Sequence, residues 1–173
     1  FCEEAIARYT DAAGHISPLA GLVMSRLGMM HYEANDLERA QACHERSTEL
    51  GGQLGVSTFD AFGEALGAPT RFARGETEAA LDALQRAHRV TVQTGFSDPT
   101  WILTYEAALR FRQGDLPFVR RWAEAAGLAP GEPPSYMRLD LQLLYAHLLG
   151  AEGRLDEAGE LIARLEAYTA EHA

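Results

Sequence analysis

A chain of 173 residues with 25 acidic and 15 basic side chains carries a formal net charge of −10, which repels phosphate backbones and argues against direct contact with DNA or RNA. Hydrophobic residues make up 47%, ordinary for a globular chain, and no apolar run approaches the roughly 20 residues that span a bilayer, so no membrane role is expected. Two cysteines, Cys2 and Cys43, are too few for a disulfide framework and fit a reducing cytoplasm.

The first residue is Phe1, and "FCEEAIARYTDAAG" is already in helical pattern, so the sequence reads as a piece of a longer chain cut ahead of a helix. Apolar periodicity predicts helices near 2–13, 17–34, 36–54, 58–74, 77–94, 98–113, 116–126, 134–152 and 155–171. In the second, Leu19, Val23, Leu27 and Met30 share a face. Pro69 falls inside the fourth, which predicts a bend near Ala65–Pro69. After the seventh, "GLAPGEPPSY" reads as a longer linker. The last two helices carry apolar stripes at Met137, Leu141, Leu144 and Leu148, and at Leu155, Ala158, Ile162 and Leu165. No segment alternates apolar and polar residues long enough to predict a strand.

A rhythm runs through these helices. "ANDLERAQACHERSTELG", "RGETEAALDALQRAHRV", "QGDLPFVRRWAEAAGL" and "EGRLDEAGELIARLEAY" align on Asn35, Gly75, Gly114 and Gly153, spaced by 40, 39 and 39 residues. A fixed period in this range marks a stacked repeat, because one helix pair cannot bury its own apolar face. Asn or Gly at the anchor suits a left-handed helix end, and the residue that follows starts the next helix. Seven before each anchor stand Gly28, Ala68, Ala107 and Ala146, and five after it Ala40, Ala80, Val119 and Ala158. Short side chains at these places let paired helices approach to roughly 8–10 Å. Leu37, Thr77, Leu116 and Leu155, two after the anchors, read as the apolar plug of each turn. The expected fold is all-α, a tetratricopeptide-like α–α superhelix: a right-handed solenoid of about four helix pairs plus an N-terminal helix. Residues 1–173 read as a single repeat domain, with repeats near 16–54, 57–94, 98–126 and 134–171 and helix 2–13 belonging to a preceding repeat.

Little in the chain suggests catalysis or metal binding. No two of His15, His31, His44, His88, His147 and His172 are spaced i,i+4, and adjacent Cys43 and His44 would point about 100° apart on a helix. These histidines read as hydrogen-bonded or exposed, and no catalytic, cofactor or metal residue is assigned. The first helices of the pairs, which line the concave face of such arrays, are more informative. Three before the anchors come Tyr32, Phe72, Phe111 and Gly150; six before come Met29, Pro69, Ala108 and His147. Trp101, Thr104, Tyr105 and Arg112 join the third rung. Aromatic faces with a few polar groups suit a sugar or another small organic ligand. The competing reading is that the rings fill the gaps between repeats. Arg112 is the one base in this set, which argues against capture of an acidic peptide and leaves an apolar helix as a protein partner.

The runs "YEANDLERAQACHERSTEL", "QGDLPFVRRWAEAAGL" with its following "PPSY", and "LLGAEGRLDEAGELIARLEAY" resemble the helical sensor domain of the large MalT-like, LuxR-type ATP-dependent transcriptional activators. That resemblance implies an effector-sensing superhelix between an N-terminal nucleotide-binding module and a C-terminal helix-turn-helix. It implies a small-molecule inducer or protein partner for this segment, and self-association of the full-length chain. ATP is implied for the full-length protein, with DNA contacted only through the C-terminal domain. Residues 1–173 contain neither a phosphate-binding G-x-x-x-x-G-K-[ST] loop nor a basic reading helix, so those contacts would lie elsewhere. The alternative is a tetratricopeptide scaffold for protein–protein contacts with no small-molecule ligand.

Overall fold

Where a helix must stop and reverse within two residues, its last carbonyls need donors, and a left-handed residue supplies the geometry. In the structure, a computed structural model that describes residues 2–53, 57–95 and 97–172, all four anchors adopt it. Asn35, Gly75, Gly114 and Gly153 have φ of 58°, 86°, 80° and 79°. Each anchor N–H donates to the carbonyl three residues back: Tyr32, Phe72 and Phe111 at 2.9 Å and Gly150 at 3.1 Å. The next N–H reaches back five, to His31, Arg71, Arg110 and Leu149 at 2.8–3.0 Å. One cap is therefore built four times from local sequence. Asp36 and Asp115 then cap the helices that follow, accepting from the N–H groups of Arg39 and Phe118 at 3.2 and 3.1 Å.

The described elements are α1 (Cys2–Arg8), α2 (Ala20–Glu33), α3 (Leu37–Gly52), α4 (Ser57–Ala73), α5 (Thr77–Thr94), α6 (Thr100–Arg112), α7 (Leu116–Ala125), α8 (Leu139–Ala151) and α9 (Leu155–His172). A single 3-10 turn, Tyr136–Arg138, precedes α8. The fold is all-α among the described residues; the one β interaction there is an isolated bridge between Thr10 and Ile16. The chain divides into two compact units, Phe1–Tyr105 and Glu106–Ala173.

In the first unit α2 packs on α3, α3 on α4 and α4 on α5, with α2 also against α4 and α1 against α2. The crossing residues are small, as the period requires: Ala40, Ala68 and Ala80 are fully buried, and Gly28 is buried. A methyl added at Gly21 would lie 3.0 Å from the carbonyl oxygen of Ser47, whose hydroxyl donates to the Gly21 carbonyl at 2.7 Å. In the second unit α7 and α8 pack together, as do α8 and α9. Ala107, Ala146, Val119 and Ala158 are buried there in the same places. The linker before α8 is held by side chains. Arg138 donates to the Ala126 carbonyl at 2.7 Å, Gln142 to that of Pro133 at 3.0 Å, and Arg164 to that of Pro130.

Several expectations need correction. The predicted helix 2–13 ends at Arg8, because the Asp11 carboxylate accepts from the N–H groups of Ala13 and His15, both at 2.8 Å, and turns the chain. Those bonds hold the Asp11 carboxyl below its ordinary range. The second helix begins at Ala20 instead of 17, and its buried side is Ala20, Gly21, Ser25 and Gly28. The stripe read as its core leaves Leu19 and Met30 exposed, at 49% and 60%. Met137 falls in the 3-10 turn, also exposed, and Leu155 is 68% exposed and plugs nothing. Helix α4 does continue through Pro69 to Ala73, as its predicted span of 58–74 requires, with the proline removing the bond that the Ala65 carbonyl would receive. The predicted end of the third helix at Leu54 lies outside the described residues.

Candidate functional site

Helices α2, α4 and α6 are the first members of successive pairs, and they carry an aromatic cluster in the first unit. The Phe62 and Trp101 rings lie 5.0 Å apart, inclined by 53°. The Tyr105 ring meets Trp101 edge-on at 6.0 Å and 88°. Its hydroxyl donates to the Met29 sulfur at 3.7 Å, tying α6 to α2. The Arg26 guanidinium sits 5.8 Å from the centre of the Phe62 ring, close enough for a cation–π contact. Phe62, Trp101, Tyr105 and Met29 are all half-buried, and Arg26 is exposed. The arrangement offers flat apolar faces edged by an indole N–H, a phenol and a guanidinium. Such a surface can stack a ring and direct a few hydrogen bonds; it holds no nucleophile–base pair.

Of the residues expected to line the concave face, Met29, Trp101 and Tyr105 come together here. Thr104 does not join them: it is buried, and its hydroxyl donates to the Thr100 carbonyl on its own helix at 2.9 Å. Tyr32 and Phe72 are half-buried at the C-terminal ends of α2 and α4, where their carbonyls serve the caps. In the second unit Phe111 and His147 form a separate pair, with ring centres 6.0 Å apart. They border an open groove of about 640 Å³ that also meets Gly150, Leu155 and Ile162. Arg112 is exposed at the end of α6.

Arg26 and Phe62 were missed. Phe62 and Trp101 both stand thirteen residues before their anchors, Gly75 and Gly114. Reading that place across the repeats would have found Phe62. Arg26 has no such signal.

One histidine departs from the expectation that all are hydrogen-bonded or exposed. His44 is 3% exposed, and among the described residues neither ring nitrogen has a hydrogen-bond partner. Burial, and secondarily the charge of Arg71, push its pKa down to about 4, so the ring is neutral. It lies between α2 and α4: a methyl at Gly28 would fall 2.6 Å from its Cε1, and one at Gly67 3.1 Å from its Cβ. Its role is packing.

Capped helical hairpins with short residues at each crossing, and an aromatic cluster on their first helices, define a tetratricopeptide-like helical-repeat protein. The chain belongs to the MalT-like TPR region family, whose description matches residues 1–172. No curated protein matches it at a significant level. None of the described helices is long and apolar enough to cross a membrane.

Proposed function

We propose that this chain is the effector-sensing segment of a LuxR-type, ATP-dependent transcriptional regulator of the MalT kind, acting in the cytoplasm. It binds a small organic inducer, a sugar being the first class to test, and thereby controls self-assembly of the full-length protein. ATP and DNA are bound by modules outside these residues, and this segment itself is not an enzyme. The observation that carries the reading is the cluster of Phe62, Trp101, Tyr105, Met29 and Arg26, which draws on three successive first helices. An inducer seated there favours one spacing of those helices over others. It shifts that equilibrium only by its differential affinity for the two arrangements.

Thermal unfolding against a panel of sugars and other metabolites tests the proposal. A true ligand present at about 100 times its Kd adds about 2.7 kcal/mol of stability. Trp101→Ala should abolish that gain while leaving the far-ultraviolet helix signal unchanged. A panel in which no compound raises the melting temperature would overturn the ligand reading in favour of a scaffold for protein contacts.

A further inference from the structure

Arg26 stands where nothing on its own helix can neutralise it. One turn to either side on α2 are Leu22, Val23, Met29 and Met30, none of them charged. Four other arginines of the first unit, Arg39, Arg46, Arg74 and Arg86, meet carboxylates at 2.8–3.6 Å. Among the described residues Arg26 meets the Phe62 ring instead, at 5.8 Å. The acids closest in sequence to Phe62 and Trp101 are engaged elsewhere. Glu64 accepts from two nitrogens of Arg86 at 3.1 and 3.2 Å. Asp60 lies against Gly51, where a methyl would fall 2.7 Å from its Oδ1. Asp98 accepts from the N–H and the hydroxyl of Thr100 at 2.9 and 2.5 Å, at the start of α6.

The polar groups still open at the cluster are donors. Tyr105 gives its hydroxyl hydrogen to the Met29 sulfur. The Trp101 indole N–H has no acceptor among the described residues, and an indole can only donate. The guanidinium likewise offers N–H groups and accepts nothing, in a fork that fits two oxygens of a carboxylate or phosphate. A neutral sugar hydroxyl both donates and accepts, so a rim of donors leaves its hydrogens to water, whereas an ionised carboxylate only accepts. Phe62 is the shared neighbour, 5.0 Å from Trp101 and 5.8 Å from Arg26. A ring laid against Trp101 therefore brings a substituent on its edge toward the guanidinium. We infer that the inducer is an anion: a ring-bearing metabolite, stacked on the aromatic cluster, whose carboxylate or phosphate is bound by Arg26. This rests on the ligand reading and narrows it. The chain as a whole carries −10 and repels anions at a distance, so the selection is local to this side chain.

Titration calorimetry with three matched sets tests it: neutral hexoses with benzyl alcohol, hexuronates with benzoate, and hexose phosphates with benzyl phosphate. Inorganic phosphate alone is the control without a ring. A carboxylate or phosphate ligand should bind about ten- to a hundredfold tighter than its neutral counterpart. Arg26→Gln, at an exposed position, should bring the charged and neutral affinities together, and Arg26→Glu should invert their order. Arg26→Lys should keep part of the preference, having lost the fork and not the charge. Trp101→Ala should weaken charged and neutral ligands alike. A neutral compound that binds as tightly as its charged counterparts, and loses affinity with Trp101→Ala, overturns this inference and leaves the ligand reading standing. So does a charged ligand whose preference survives Arg26→Gln. Inorganic phosphate binding as tightly as the best charged ligand also overturns it, because the ring would then contribute nothing. Silence from every set overturns both readings.

Discussion

At the scale of single residues the tightest constraint is His44. Its ring is neutral in the fold, with a pKa near 4 against an ordinary 6.5, so the unfolded chain takes up a proton that the folded chain refuses. The sign follows. Stability from this group is complete above about pH 6.5 and drains away as the pH falls toward 4, by up to about 3 kcal/mol. Urea unfolding at pH 7.5, 6 and 5 should show that limb, and His44→Leu should flatten it. At pH 7.5 the same substitution should raise stability by about 1 to 3 kcal/mol, because it removes buried nitrogens without partners. Gly28→Ala sharpens the point. Alanine in a helix is ordinarily about 1 kcal/mol better than glycine. Here its methyl would meet the His44 ring at 2.6 Å, and Gly67 closes on that histidine from the other side. The expected change is therefore a loss of about 1 to 3 kcal/mol. His44→Ala should recover most of that loss in a double-mutant cycle.

At the scale of elements, the caps decide where helices end. Gly75 sits at φ 86°, a conformation that a β-carbon opposes, so Gly75→Ala should lower stability by about 1 kcal/mol. The opposite sign is expected one residue on. Asp36 and Asp115 each accept a backbone N–H three residues ahead, whereas Glu76 makes no such side-chain cap. Glu76→Asp should supply it and raise the denaturant midpoint, by about 0.5 to 1 kcal/mol in stability. A midpoint that stays put or falls would mean that the exposed ion pair between Arg74 and Glu76 outweighs the cap. These devices were legible in sequence because each is local: an Asn or Gly, then an acid, repeated at a fixed period. The burial of α2 was not legible. That helix has one face of large apolar residues and another of Ala20, Gly21, Ser25 and Gly28, and hydrophobicity favours the wrong one. What selects the small face is the approach of α3 through Ser47, which no pattern within α2 records. Arg26 reaches the site in the same unannounced way, since its contact with Phe62 exists only once α2 and α4 meet.

At the scale of the whole molecule, α6 belongs to both compact units. Trp101 and Tyr105, at its start, complete the aromatic cluster, and from Glu106 onward it is part of the second unit. An α-helix is cooperative along its length, because each residue added after the first turn gains a backbone bond at no new nucleation cost. A ligand that pins Trp101 and Tyr105 therefore suppresses fraying through the whole of Thr100–Arg112, not only at the residues it touches. Hydrogen exchange of the amides in 106–112 should slow on ligand binding by a factor comparable to that seen for 101–105. Ala108→Gly, half-buried and beyond the cluster, weakens the helix by about 1 kcal/mol. It should leave protection of 101–105 nearly intact and reduce that of 106–112. If the ligand slows exchange only up to Tyr105 in the unmutated chain, its effect ends within the first half of α6.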